Sequence, residues 1–204
     1  EVLPLEPLEN EDCERLFESC FTQGTAPVFS ADIAERSAGN PLFIEELAAQ
    51  AKAADDRTSI ALDKGGPLAV PSTLSGLLLQ RVDLLSAKAQ ALLRTASAIG
   101  RRFWIVIAEV PGPSRNLAMS EILGSGLLIA EESSAGVYRF KHALVQEAIY
   151  ESMLSSVRRR IHAKVAHRLE DAFNGREQDV AEDLARHFEL ADAPNSASRY
   201  GFVA

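Results

Sequence analysis

Few of the 204 residues are of types that do chemistry, and their spacing narrows the options further. The four histidines, His142, His162, His167 and His187, lack the H-E-x-x-H spacing that sets two imidazoles on one helix face around zinc. None is spaced with a cysteine pair, and His162 and His187 fit ordinary packing or surface roles on helices. Cys13 and Cys20 share a face if they lie on one helix, but at about 10 Å apart along the axis they are beyond disulfide reach. They read as free thiols packed like small hydrophobes, which suits a reducing cytoplasm. The phosphate cradle G-x-x-x-x-G-K-[ST], an acidic strand end for magnesium and the G-x-S-x-G motif are all absent. The expectation is a chain that is not an enzyme alone, completes no ATP hydrolysis and binds no metal.

Two segments keep a specific pattern. In Ser37-Ala38-Gly39-Asn40-Pro41-Leu42-Phe43-Ile44-Glu45-Glu46-Leu47, one helix stops at Gly39 and another starts at Pro41. Such a junction can bring backbone and a rigid ring against a flat ligand, although on the residues alone a plain stop and start between helices is the favoured reading. In Tyr138-Arg139-Phe140-Lys141-His142-Ala143-Leu144-Val145-Gln146-Glu147-Ala148-Ile149-Tyr150, a strand delivers His142 to the start of an amphipathic helix. Helix N-termini offer free N–H groups and positive potential, and an imidazole N–H there adds a donor for an anion such as phosphate. His142 is the leading ligand candidate, with a helix cap or a packed side chain as the other reading.

Positioning these residues falls to helices. Pro4 and Pro7 keep the opening extended before a helix capped near Asn10 or Asp12, with Leu16, Phe17, Cys20 and Phe21 on one side. Ser30 caps an expected helix from Ala31 to Ala38, and the helix opened by Pro41 buries Leu42, Phe43, Leu47 and Ala51. Residues 55–71 show no period and end in proline, so they read as a linker. Ser72 caps a helix through Leu84, and Ser86 another through Ala98. Residues 103–108 are a short apolar element of open type, followed by a helix over about Arg115 to Leu123. Two short strands, 127–131 and 137–141, flank a turn-rich loop. This order suggests a winged helix-turn-helix. Helices over roughly 142–154, 156–173 and 179–191 follow, with another starting near Asn195. Val157, Ile161, Val165, Leu169 and Phe173 form a stripe on the second of these. The expected fold class is mainly α: a helical bundle, a winged helix with a short β-hairpin, then the start of an α-helical repeat region.

The net charge of −8 is concentrated early, since residues 1–60 hold 13 acidic and 4 basic side chains against 16 and 17 in the rest. An acidic first module disfavours nonspecific DNA binding, which needs Lys and Arg to neutralise phosphates. No apolar run approaches the roughly 20 residues of a membrane span, and the acidic start has no signal-peptide pattern. A cytoplasmic protein without a membrane partner is expected.

Several motifs together resemble the STAND class of signal-transduction ATPases, particularly the AAA-type modules that accompany bacterial class III adenylate/guanylate cyclases and large LuxR-type regulators. They are the L-x-P-L lead-in, G-N-P-L-F-I-E-E-L, V-P-x-T-L-x-x-L-L-x-x-R-x-D-L-L at 70–85, A-S-A-I-G-R-x-F at 96–103, F-K-H-A-L-V-Q-E-A-I-Y, and R-R-x-I-H at 158–162, which span nearly the whole chain. In that family a P-loop core precedes the lead-in, a helical lid carries the G-x-P motif, a winged helix follows, and tetratricopeptide-type repeats come next. The resemblance divides the chain into a lead-in (1–9), a lid (10–58), a linker (59–71), a winged-helix domain (72–154) and the start of repeats (155–204). It implies ADP or ATP bound only together with the P-loop core, with Gly39, Asn40 and Pro41 near the adenine or phosphates. It also implies that His142 matches the M-H-D histidine facing the ADP β-phosphate, although Lys141 and Ala143 stand in place of Met and Asp. The partners implied are the chain's own ATPase core and a C-terminal repeat or effector region, with a protein partner reached through the repeats.

Two other readings compete. A DNA-binding winged helix would use residues 115–123 for recognition, but that stretch holds one Arg and one Glu and few groups able to read base edges. Arg158-Arg159-Arg160 is an isolated basic cluster that reads better as a solvated or partner-facing surface. A pure interaction scaffold of helical hairpins is the third reading.

Overall fold

The computed structural model describes residues 6–21, 34–35, 37–53, 73–108, 112–132 and 134–201. The chain is mainly helical with one small antiparallel sheet, and it divides into compact units Glu1–Arg81 and Val82–Ala204. Among the described residues no helix is long and apolar enough to cross a membrane.

In the first unit α1 spans Asn10–Ser19. Its first intrahelical bond runs from Cys13 N–H to Glu9 O at 2.9 Å, so Glu9, rather than Asn10 or Asp12, occupies the cap position. Glu11 and Asp12 instead sit in the first turn, where the helix dipole favours acids. Helix α2 spans Pro41–Ala53 and α3 spans Leu74–Asp83. Thr73 caps α3, its hydroxyl accepting Gly76 N–H at 3.1 Å. Ser72, Ser30 with the start of its helix, and the linker over 55–71 lie outside the described residues. Cys13 and Phe17 of α1, Phe43, Ile44, Leu47 and Ala48 of α2, and Leu77 of α3 make one core. The buried face of α2 is therefore centred on Ile44 and Ala48, with Leu42 and Ala51 only partly covered.

The second unit opens with α4 (Ala87–Ile99), whose cap Ser86 accepts Ala89 N–H at 3.3 Å and whose Leu92, Leu93 and Ala96 are buried. The apolar stretch after it divides into β1 (Arg102–Trp104) and a single helical turn, α5 (Ile105–Ala108). Helix α6 (Pro113–Gly124) leads into β2 (Leu128–Ala130) and β3 (Val137–Phe140). The sheet order is β1-β3-β2, with Phe103 opposite Tyr138 and Ile129 opposite Arg139. Helix, strand, two helices and a hairpin closing on the first strand form a winged helix.

Helices α7 (Ala143–Ser152), α8 (Ser155–Ala172), α9 (Ala181–Leu190) and α10 (Pro194–Gly201) complete the unit, with a 3₁₀ turn over Glu177–Val180 before α9. Ile107 of α5 packs with Val165, Ala166 and Leu169 of α8 and with Leu184 and Phe188 of α9. Arg168 of α8 also donates to Ile107 O at 3.1 Å. Helices on both sides of residue 155 thus share one core.

Candidate functional site

Gly39 sits at the helix junction with φ +72°, a left-handed conformation that favours glycine. A second constraint acts on it from the lead-in. A Cβ at this position would lie 2.6 Å from Leu8 O and 2.7 Å from Pro7 Cβ, and Leu8 N–H donates to Gly39 O at 3.0 Å. Asn40, which is exposed, caps α2: its carboxamide oxygen accepts Leu42 N–H at 3.0 Å and its carbonyl accepts Ile44 N–H at 3.3 Å. Pro41 is exposed at the first turn of α2, where its missing N–H costs nothing.

The same motif holds a feature that sequence reasoning missed. Glu46 pairs with Arg81 of α3, their side chains only 4% and 14% exposed. Glu46 follows Phe43 by three residues and precedes Leu47, a spacing that places it on the apolar face of α2. That spacing was the available signal.

His142 belongs to the second unit. Strand β3 ends at Phe140, and His142 continues in extended conformation (φ −128°, ψ 142°) directly before α7, its carbonyl accepting Val145 N–H at 3.2 Å. The imidazole is half-buried and makes no capping bond. The residues behind it are firmly placed: Phe140, Val145 and Ile149 are buried, and Gln146 Nε2 donates to Ser97 O of α4 at 2.6 Å. Gly39, Asn40 and Pro41 therefore meet at one junction in the first unit, and His142 stands at a helix entrance in the second.

His162 and His187 are packed on helices as their sequence context allows, but their pairing was not foreseen. Both are 1% exposed, on α8 and α9, with their Nδ1 atoms 2.8 Å apart. His162 Nε2 lies 3.0 Å from Tyr150 Oη of α7, and His187 Nε2 lies 3.3 Å from Arg186 Nη2, which also donates to Ile99 O of α4 at 3.0 Å. Burial, then Arg186 and Arg158, pushes His162 down to about 4. Burial, then Arg186 and His162, pushes His187 down to about 3. The pair meets only through tertiary packing, so no spacing rule could have found it.

Surface groups brace the winged helix. Ser86 N–H and Oγ donate to the Glu121 carboxylate of α6 at 2.7 and 2.6 Å, which holds that acid below the usual carboxylate range. Arg102 of β1 donates to Glu131, just after β2, at 2.8 Å. Among the described residues no group of three or more His, Cys, Asp or Glu side chains is arranged to hold a metal ion.

No known family, curated protein or solved structure matches the chain.

Proposed function

We propose that this chain is the lid and winged-helix segment of a STAND-class signalling switch, sensing ADP or ATP held mainly by a P-loop core and relaying the nucleotide state to an effector such as a nucleotide cyclase. The observation that carries the reading is the placement of His142. A buried strand end and a packed helix hold a half-buried imidazole at the entrance of α7, where backbone N–H groups and the helix dipole attract phosphate. ADP contacted by His142 holds the closed state, and exchange for ATP changes those contacts; only such a difference can shift the equilibrium. Gly39, Asn40 and Pro41 shape the lid beside the nucleotide.

The DNA-binding alternative is weaker. Helix α6, in the recognition position, has one cation, Arg115, which is half-buried, while Glu121 is held by Ser86 and Leu117 is 73% exposed. That surface suits an apolar protein neighbour better than base edges.

The test is ADP release from the full-length protein. His142→Ala is expected to speed it at least tenfold with the fold intact, and an unchanged release rate would sink the assignment.

A further inference from the structure

The buried chain of Tyr150, His162, His187 and Arg186 has a definite direction. A guanidinium only donates, so His187 Nε2 must accept from Arg186. Neutral His187 then carries its hydrogen on Nδ1 and donates to His162 Nδ1. His162 in turn carries its hydrogen on Nε2 and donates to Tyr150 Oη. Each ring has one lone pair, and both are occupied.

A proton entering this pair finds no vacant site. On His187 Nε2 it meets an Arg186 N–H. On His162 Nδ1 it meets His187 Nδ1–H, unless His187 moves its own hydrogen to Nε2, where Arg186 again stands. Both routes break the same bond, between His187 and Arg186.

The surrounding charges do not favour the cation either. From α8, the Arg158 guanidinium covers the Tyr150 ring at 5.0 Å and pairs with Glu151 of α7 at 3.1 Å. From α9, Arg186 stands 3.8 Å from Asp183 and donates to the Ile99 carbonyl of α4. His167, the other histidine of α8, is exposed and pairs with Glu170 at 2.9 Å. The partners that His162 and His187 do have are each other, a phenol and a guanidinium, with no carboxylate among them.

We propose that this chain is a proton-operated latch: uptake of one proton by the His162–His187 pair expels Arg186 from His187 and from Ile99 O, and α9 loosens from α4 and α8. The latch is independent of the nucleotide reading, since none of its members belongs to that site.

Histidine nitrogen NMR and amide hydrogen exchange on the intact protein test it. At pH 7 the spectra should show both rings neutral, with hydrogen on His187 Nδ1 and on His162 Nε2. Between pH 7 and pH 5 the opening equilibrium of α9 should rise about 20-fold for each histidine that regains its ordinary value of 6.5 when open, after correction for intrinsic exchange. Amides of the β-sheet should not follow. The opposite tautomers, or α9 protection that ignores pH over this range, would overturn the latch. Arg186→Gln replaces the cation with an amide whose oxygen can accept from protonated His187. It should raise the midpoint of the pair by at least one pH unit and keep α9 closed at pH 5; an unchanged midpoint would show that Arg186 is not the group expelled.

Discussion

Replacing Gly39 with alanine probes whether the junction is built for packing. The backbone at φ +72° costs a residue with a Cβ about 1–2 kcal/mol. The new methyl group would lie 2.6 Å from Leu8 O and 2.7 Å from Pro7 Cβ, so the lead-in must retreat by about 1 Å to restore ordinary contact. That retreat breaks the 3.0 Å bond from Leu8 N–H to Gly39 O, worth about 1 kcal/mol. It also lifts Leu8 from the core it borders. Together Gly39→Ala should destabilise the first unit by about 2–4 kcal/mol, a urea midpoint shift of about 1–2 M at a typical slope. The chain has a single tryptophan, Trp104, in the second unit. Amide exchange in α1 and α2 reports the loss. A change below about 0.5 kcal/mol in the first unit would refute the close-approach account.

Stability of the second unit should depend on pH through its buried histidines. Their folded values are lowered from 6.5 to about 4 and about 3, so below 6.5 the unfolded chain binds the extra protons. The contribution is complete above that value and is lost as the pH falls toward 4 and 3. Linkage gives about 1.4 kcal/mol per histidine, or about 2.8 kcal/mol in all, lost between pH 8 and pH 5.5. Urea midpoints followed by Trp104 measure it, and a flat profile would show that the rings are not held neutral. Glu46→Ala should destabilise the first unit by about 1–3 kcal/mol, because it removes the carboxylate that Arg81 pairs with. Glu46→Leu with Arg81→Leu should recover most of that loss, and a double variant as unstable as the single one would contradict the ion-pair account. Ile107→Ala should cost about 2–5 kcal/mol by opening the core shared by α5, α8 and α9, read from the same Trp104 transition.

The helical plan was legible because its signals are local. Ser86 caps α4 as its sequence context predicts, and the turn-rich residues after Ala130 place the hairpin. The stretch over 103–108 was ambiguous because a short apolar run fits a strand or a buried helix equally well. Its partner decides the matter: Trp104 is the last residue in register with β3, and Ile105 N–H bonds to Gly136 O at 2.9 Å, where the pairing ends. The cap of α1 differs from the expected Asn10 or Asp12 because the helix begins where Glu9 is still extended, and its carbonyl accepts the first helical bond. The candidate site was legible as two motifs, with the stop at Gly39 and the start at Pro41, but not the contacts they make across the fold. The contact of Gly39 with Leu8 joins residues 31 positions apart, and the histidine pair joins two helices.

Those roles divide the two motifs unequally. At the helix junction, close approach to the lead-in explains Gly39, capping explains Asn40, and the first helical turn explains Pro41. Loss of nucleotide after mutating any of them would follow from a disturbed first unit as readily as from a lost contact. The second motif has its own structural members: Phe140, Val145 and Ile149 in the core, Gln146 bound to Ser97, and Tyr150 bound to His162. His142 stands in extended conformation directly before α7 and its ring does not cap the helix. A nucleotide effect confined to His142→Ala, with both units as stable as before, would therefore separate binding from folding in a way that no substitution at Gly39, Asn40 or Pro41 can.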